Sequence, residues 1–400
     1  GPVTTMRNVR YRTQDYTRLA QVDDIIKAVV DADVPISVDD SFERLAAAWG
    51  ERARPLVGDL TEADLGLSDA ALDGVGPVDH LVHCAAVYDL TADTAAQQAA
   101  NVEGTQAVIG LARRLGATLH HVSSIAVAGD FRGEYTEDDF DVGQELPTPY
   151  HQTKFEAELL VRSASDVRYR IYRPAVVVGD SRTGETDKVD GLYYFFGVLA
   201  RLARLPKVTP ILLPDIGRTN VVPVDHVVDA LVSLMHAPDR DGQTFHLTST
   251  ESIGLRQIYR GVARTAGLPP LRGRLPRQLA TPVLRARGRA RVLRNMAATQ
   301  LGVPAEVLDV VELASAFRSE LTREALRGSG ITVPDFASYA PALWRYWAEH
   351  LDPDRGRRDH PDGPLVGRHV IITGASSGIG RAAAERLDDM ESRQTKWMLA

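Results

Sequence analysis

The sequence predicts an α/β fold: a doubly wound parallel sheet followed by a smaller, mostly helical subdomain. Three observations predict it. Strand and helix patterns alternate from about residue 41. The strands are continuous apolar runs, as strands covered on both faces are. Helix stops such as Gly50, Gly116 and Pro238 punctuate the alternation.

Taken in order, "VRYRT" reads as a strand, "LAQVDDIIKAVVDA" as a helix and "VPISV" as a strand. "SFERLAAAWG" is a helix capped by Ser41, and "RPLVGDL" a short strand. "VDHLVHCAA" is a buried strand, and "DTAAQQAANVEGTQAVIGLARRLG" a long helix closed by Gly116. "TLHHVSSIAV" is the next strand, followed by a helix from Tyr150 to Arg162. "RYRIYRPAVVVG" is a strand and "VDHVVDALVSLMHAP" a helix. Residues 252–305 break the pattern with eleven arginines and no acidic residue. Helical segments follow, up to "YAPALWRYWAEHL". "DPDRGRRDHPDGPLVG" is polar and rich in Pro and Gly, so it reads as a linker. "VIITGASSGIGRAAAERL" then opens a second strand, glycine turn and helix. The expected units are 1–40, 41–250, 251–350, a linker 351–367, and 368–400.

Four hundred residues can hold two domains and a large core, and a net charge of −7 is mild, so a soluble globular protein is expected. The single cysteine, Cys84, rules out an intrachain disulfide framework and fits a reducing compartment. The start is polar, with no apolar run of a secretory signal, and the leading Gly-Pro can be read as a cloning scar ahead of Met6. The expected localisation is cytoplasmic. The longest apolar stretch, "GLYYFFGVLARLARLP", is broken by Arg201 and Arg204 and should not span a bilayer.

The chemistry concentrates in "PYHQTKFEAELL". Tyr150 and Lys154 lie four apart on a helix and face one side, with Pro149 suited to the first turn. An ammonium beside a phenol favours the phenolate, and such a tyrosine can hand a proton to a carbonyl oxygen as hydride reaches the carbon. Upstream, a strand ends in Ser123-Ser124, where a hydroxyl can hold the same oxygen. "GDL" and "HCAA" also fall at strand ends, where open α/β sheets bind ligands.

Between about Ser41 and Leu247 the chain resembles the extended short-chain dehydrogenase/reductases, with their Rossmann-type sheet. The resemblance rests on "VGDLT", "VDHLVHCAA", "NVEGT", "HHVSSIAVAG", "YHQTK", "RPAVVVGDS", "NVVPVDHVVDA" and "TFHLT". Around "RPAVVVGDSRTGETDKVDG" it looks most like the thioester (fatty acyl-CoA) reductase branch, and "VGRHVIITGASSGIGRAAA" resembles the start of a classical short-chain domain. The resemblance implies an NADP(H)- or NAD(H)-dependent reductase acting on an acyl thioester or aldehyde; a sugar-nucleotide or steroid oxidoreductase is the alternative on the same scaffold. It implies Tyr150 as general acid, Lys154 on the nicotinamide ribose, Ser124 rather than Ser123 on the substrate oxygen, and Asn101 in support. Asp59 and Leu60 would flank adenine, Ala85 and Ala86 the cofactor backbone, and Pro174 and Val177 the nicotinamide. For Asp59 and Asn101 taken singly, a cap or a turn is the plainer reading.

One departure stands out. The family opens on a strand and a Gly-x-x-Gly-x-x-Gly turn that holds the cofactor pyrophosphate. Residues 1–40 contain no such turn, Asp23 and Asp24 would repel the pyrophosphate, and "VRYRT" suits an edge strand. A silent remnant is therefore a further reading. Asp39 and Asp40 would favour NAD if they lie at the ribose. Gly374, Gly378 and Gly380 supply a glycine turn at the other end of the chain. It is either a stub, a tail, or an insertion that fills the gap between the strands near Val34–Val38 and Leu81–Cys84. The tail "DDMESRQTKWMLA" is expected to offer no second strand.

The arginine-rich stretch could hold the phosphates of coenzyme A or an acyl carrier protein, touch an anionic membrane, or form a solvated face. "YYFFGVL" could line an acyl tunnel or pack in the core. His83, His120 and His121 lie on strands without ligand spacing, so no metal site is expected. The negative net charge and the lack of a recognition motif argue against nucleic acid.

Overall fold

The computed structural model describes residues 56, 58–87, 94–186, 191–214, 218–275, 315–352, 369–372 and 396–399. In chain order the elements are α1 (Asp69–Asp73), β1 (His80–His83), α2 (Thr94–Gln98), α3 (Gly104–Leu115), β2 (Thr118–Val122), β3 (Gly133–Tyr135), α4 (Pro149–Ser163), β4 (Tyr169–Pro174), β5 (Val176–Val178), α5 (Tyr193–Leu202), β6 (Ile211–Pro214), β7 (Val221–Pro223), α6 (Val224–His236), β8 (Thr244–Leu247), α7 (Leu255–Ala266), β9 (Leu271–Leu275), β10 (Ser315–Phe317), α8 (Glu320–Ala325), α9 (Phe336–Tyr346), β11 (His369–Ile372) and β12 (Lys396–Leu399).

The central sheet has the order β1-β2-β4-β8, all parallel. Neighbouring β4 residues serve opposite faces, as the strand period of two requires. Ile171 packs with Leu119, Val108 and Ile109 of α3 and Val161 of α4. Tyr172 packs with Phe245, Leu247 and α6 residues Val227, Ala230 and Leu234. Helices thus cover both faces, which makes the sheet doubly wound, as the sequence predicts. Burying such runs is the main stabilising term, about 25 cal/mol per Å² of apolar surface.

A third core joins α5, α7 and α9 with Ile211 of β6. Tyr193, Phe196, Tyr259, Leu343, Trp344 and Trp347 fill it. Residues 192–213 therefore share a core with the subdomain expected from 251 onward. Loop 179–186 presses against α9: at Gly184 (φ +78) a Cβ would meet the Ala342 carbonyl oxygen at 2.2 Å, so only glycine fits.

Several expectations need correction. "RYRIYRPAVVVG" is two strands, β4 and β5, which belong to different sheets. "TLHHVSSIAV" is a strand only to Val122, because Ser124 caps a 3₁₀ turn over Ile125–Ala128. The long helix is interrupted by a π turn at Ala99–Glu103 before α3 reaches its left-handed stop at Gly116. β1 is not a buried strand: His80 and Val82 are exposed, and among the described strands it pairs with β2 alone. Of "RPLVGDL", residues 56 and 58–60 are not strand, and residues 54, 55 and 57 lie outside the described residues.

At the far end, β11 pairs in parallel with β12, His369 opposite Lys396 through Ile372 opposite Leu399. The tail does supply a second strand. The paired residues lie about 27 positions apart in the chain, enough for the crossover that a parallel pair requires. β11 joins no strand of the four-stranded sheet, so its insertion beside Leu81–Cys84 is excluded. Gly374, Gly378 and Gly380 lie outside the described residues, as do residues 1–40 and most of the arginine-rich stretch. Of that stretch, Arg256 is buried and donates to the carbonyls of Leu213 and Gly273, binding β6 to β9 rather than facing a ligand.

Candidate active site

The site forms at the carboxyl edge of the central sheet, where β1 runs into Cys84–Val87, β2 into Ser123-Ser124 and β4 into Pro174. α4 crosses that edge. Thr148 caps it, its side-chain oxygen accepting from the His151 N–H, and Pro149 occupies the first turn. This local chemistry places Tyr150 and Lys154 on the helix's inner face, where both are buried. Lys154 Nζ donates to the Val122 carbonyl at 2.9 Å. That bond fastens the Tyr-x-x-x-Lys face to the last residue of β2, directly before the two serines.

The serines have different duties. Ser123 is buried and donates to Glu158 Oε2 at 2.6 Å. Ser124 is half-buried, and its oxygen accepts the Ala126 N–H at 3.1 Å, leaving its O–H to turn toward the site. Asn101 sits in the π turn, a helix irregularity frequent at functional sites. It accepts the Val87 N–H, donates to the Val87 carbonyl, and donates to Thr153 Oγ1. The loop after β1 is thus tied to α4.

The other expected residues are less committed. Asp59 accepts the N–H and hydroxyl of Thr61, and these two bonds hold its carboxyl below the usual range. Leu60 packs against the start of α3, where a Cβ on Gly104 would lie 3.4 Å from its own. Ala85 is half-buried and Ala86 exposed; Pro174 is buried at the end of β4, and Val177 is exposed. In "YYFFGVL", Tyr193, Phe196 and Leu199 are core residues, while Tyr194, Phe195 and Val198 are half-buried.

Electrostatically the site is a buried cation among neutral rings. Burial pulls Lys154 down to about 8, against the pull of Glu158 and Cys84, which raise it. Burial, aided by the Lys154 charge, lowers His83 to about 4 and His121 well below its ordinary value. His83 Nε2 meets Thr105 Oγ1, which donates to the Asn101 carbonyl.

The sequence reading missed Glu158, Arg173 and the Val87 backbone. Two signals were present: Glu158 lies one turn beyond Lys154, and Arg173 is a charge inside an apolar strand, which demands a partner. The donor set suits a nicotinamide ribose. Among the described residues the Lys154 ammonium bonds one carbonyl, which leaves two N–H groups for hydroxyls.

Comparison with known proteins agrees. The NAD-binding family described as male sterility protein matches residues 25–231. The matched span takes in residues 25–40, part of the segment that lacks the glycine turn. Glycine betaine reductase ATRR of Emericella nidulans is 31% identical over 366 residues, 84% of this chain and 27% of that protein. A linear gramicidin synthase polypeptide of Brevibacillus parabrevis is 29% identical over 215 residues, 52% of this chain and 4% of its own. The chain thus spans about a quarter or less of these relatives. The terminal R domain from the myxalamid PKS-NRPS biosynthetic pathway superposes with a TM-score of 0.61 at 26% identity, covering 77% of this chain and 78% of that one. No helix among the described residues is long and apolar enough to cross a membrane. The chain belongs to the male sterility protein NAD-binding family, within the NAD(P)-dependent oxidoreductases of the extended short-chain type, and the terminal R domain is among the solved structures that it resembles.

Proposed function

We propose that this chain reduces an acyl thioester, with NAD(P)H as reductant and Tyr150 as proton donor. The observation that carries the reading is the Lys154–Val122 bond, which sets the Tyr150 helix face beside Ser124 at the sheet's ligand-binding edge. The bound cofactor supplies hydride to the thioester carbonyl carbon. Ser124 donates to the carbonyl oxygen and orients it. Tyr150 gives that oxygen its proton, which leaves a thiohemiacetal; its carbon–sulfur bond then breaks as the hydroxyl gives up its proton and the carbonyl re-forms, so that the thiol leaves protonated and an aldehyde is released. Lys154 holds the ribose hydroxyls and the tyrosine in register. Asn101 keeps the Cys84–Val87 loop in place, so that Ala85 and Ala86 border the cofactor backbone. Pro174 and Val177 border the nicotinamide, and Asp59 and Leu60 the adenine.

The relatives favour a thioester on a carrier: one is a linear gramicidin synthase polypeptide, and a solved neighbour is the terminal R domain of a PKS-NRPS biosynthetic pathway. An acyl group on the phosphopantetheine of a carrier protein, or on coenzyme A, presents the same thioester and the same pantetheine arm. The test is a substrate panel of acyl-carrier-protein thioesters, acyl-CoA esters, free aldehydes and nucleotide sugars, read as NADH or NADPH oxidation. Turnover of thioesters supports the reading. Turnover confined to nucleotide sugars overturns it.

A further inference from the structure

Beneath the site lies a buried ionic network that the proposed chemistry does not use. Glu158 is fully buried on α4, one turn beyond Lys154. Its Oε1 accepts from Arg173 Nη2 at 2.6 Å and from Arg162 Nε at 2.8 Å, and its Oε2 accepts from Ser123 at 2.6 Å. Arg173, equally buried, donates onward to the Asp139 carbonyl and meets His246 Nε2. Burial alone would raise the Glu158 carboxyl, but Arg173, Arg162 and Ser123 together hold it below its usual range.

A buried ion pair of this kind gives little net stability compared with apolar packing, so its presence calls for another role. Its position names one. The carboxylate joins the exit of β2 to the catalytic face of α4, and Arg173 directly precedes Pro174 at the end of β4. Three sides of the site meet at one residue. Among the described residues, the titratable groups that act with Lys154 are Glu158 from α4, Cys84 after β1, and the rings of His83 on β1 and His121 on β2.

We propose that Glu158 is a positioning residue: its carboxylate fixes the Ser123-Ser124 exit of β2 against the helix of Tyr150 and Lys154, and sets a buried negative charge one turn from the Lys154 side chain. The catalytic consequences rest on the reductase reading; the charge relationship rests on the burial of Lys154 and Glu158 one turn apart on α4.

The chain has five lysines, so lysine labelled with carbon-13 at Cε gives a resolvable spectrum, with Lys154 assigned by its loss in Lys154→Met. In Glu158→Gln, which keeps the shape and removes the charge, the Lys154 titration midpoint moves down by about one unit. An unchanged midpoint overturns the proposal, whatever the substrate proves to be. Should the stranded Arg173 charge prevent folding, Glu158→Gln/Arg173→Met removes both charges, and the midpoint must still move down, by less than in the single variant, because the lost cation had opposed the carboxylate. Ser123→Ala tests the tie to β2: the midpoint stays, while kcat falls about tenfold with KM for the thioester little changed. Unchanged kcat in that variant contradicts the positioning role. A wild-type protein inactive on every thioester refutes the reductase reading and leaves the titration result standing.

Discussion

Asn101 holds the backbone of Val87 from both sides: the Val87 N–H donates to Oδ1 at 2.8 Å, and Nδ2 donates to the Val87 carbonyl at 3.2 Å. The same amide reaches Thr153 on α4 at 3.1 Å. Asn101→Ala removes all three bonds at a buried position and leaves Thr153 and Val87 short of partners. The expected loss is about 1–3 kcal/mol of stability, together with a raised KM for the cofactor, because the Cys84–Val87 loop loses its anchor. Urea unfolding and cofactor titration check both; full stability would contradict the role.

Tyr150→Phe deletes one hydroxyl and little else. Turnover is expected to fall by about two to four orders of magnitude, while the unfolding midpoint and cofactor affinity stay near wild type. A variant retaining most of its activity would remove Tyr150 from the mechanism.

Acid should destabilise the fold through its buried histidines. Burial lowers His83, His120 and His151 to about 4 and His246 to about 3, from an ordinary 6.5. Above pH 6.5 these rings are neutral in both the folded and the unfolded chain, so their contribution to stability is complete. As the pH falls from 6.5 toward 4, the unfolded chain binds protons that the folded chain excludes. Stability then drops by about 1.4 kcal/mol per pH unit for each ring. Urea midpoints measured across that window should decline steadily with acid; a flat profile would show the rings to be accessible.

His121 is 1% exposed, and among the described residues neither ring nitrogen has a hydrogen-bond partner. An unpartnered buried polar ring costs about 1–3 kcal/mol. His121→Leu, of similar volume, is expected to be neutral or stabilising by about 1 kcal/mol in thermal unfolding. A clear loss of stability would mean that the ring has a partner in solution.

Much of this was legible in the sequence where the determinants are local. Thr148, Pro149 and the 3.6-residue period fix α4, and with it the common face of Tyr150 and Lys154. Gly116 stops α3 because the chain turns left-handed there. Where distant residues decide, sequence reading fell short. Ser123 donates to Glu158, thirty-five residues away, a partner that no local pattern announces. The split of "RYRIYRPAVVVG" follows from pairing with two different strands, β8 and β7, which no local pattern announces. The π turn at Asn101 leaves the apolar pattern of the long helix unbroken. β12 is four residues long behind a polar run, and its strand state comes from β11 alongside it.

Hydride must reach a thioester carbonyl in the Tyr150–Lys154 site if this chemistry is right. Product analysis after reaction of an acyl-carrier-protein thioester with NAD(P)H carrying deuterium at the reactive carbon follows that hydride directly. Deuterium is expected on the carbonyl-derived carbon of an aldehyde or alcohol, with labelled product from Tyr150→Phe reduced in line with its turnover. A released carboxylic acid without deuterium, or no release with the cofactor unconsumed, would refute hydride transfer to the thioester.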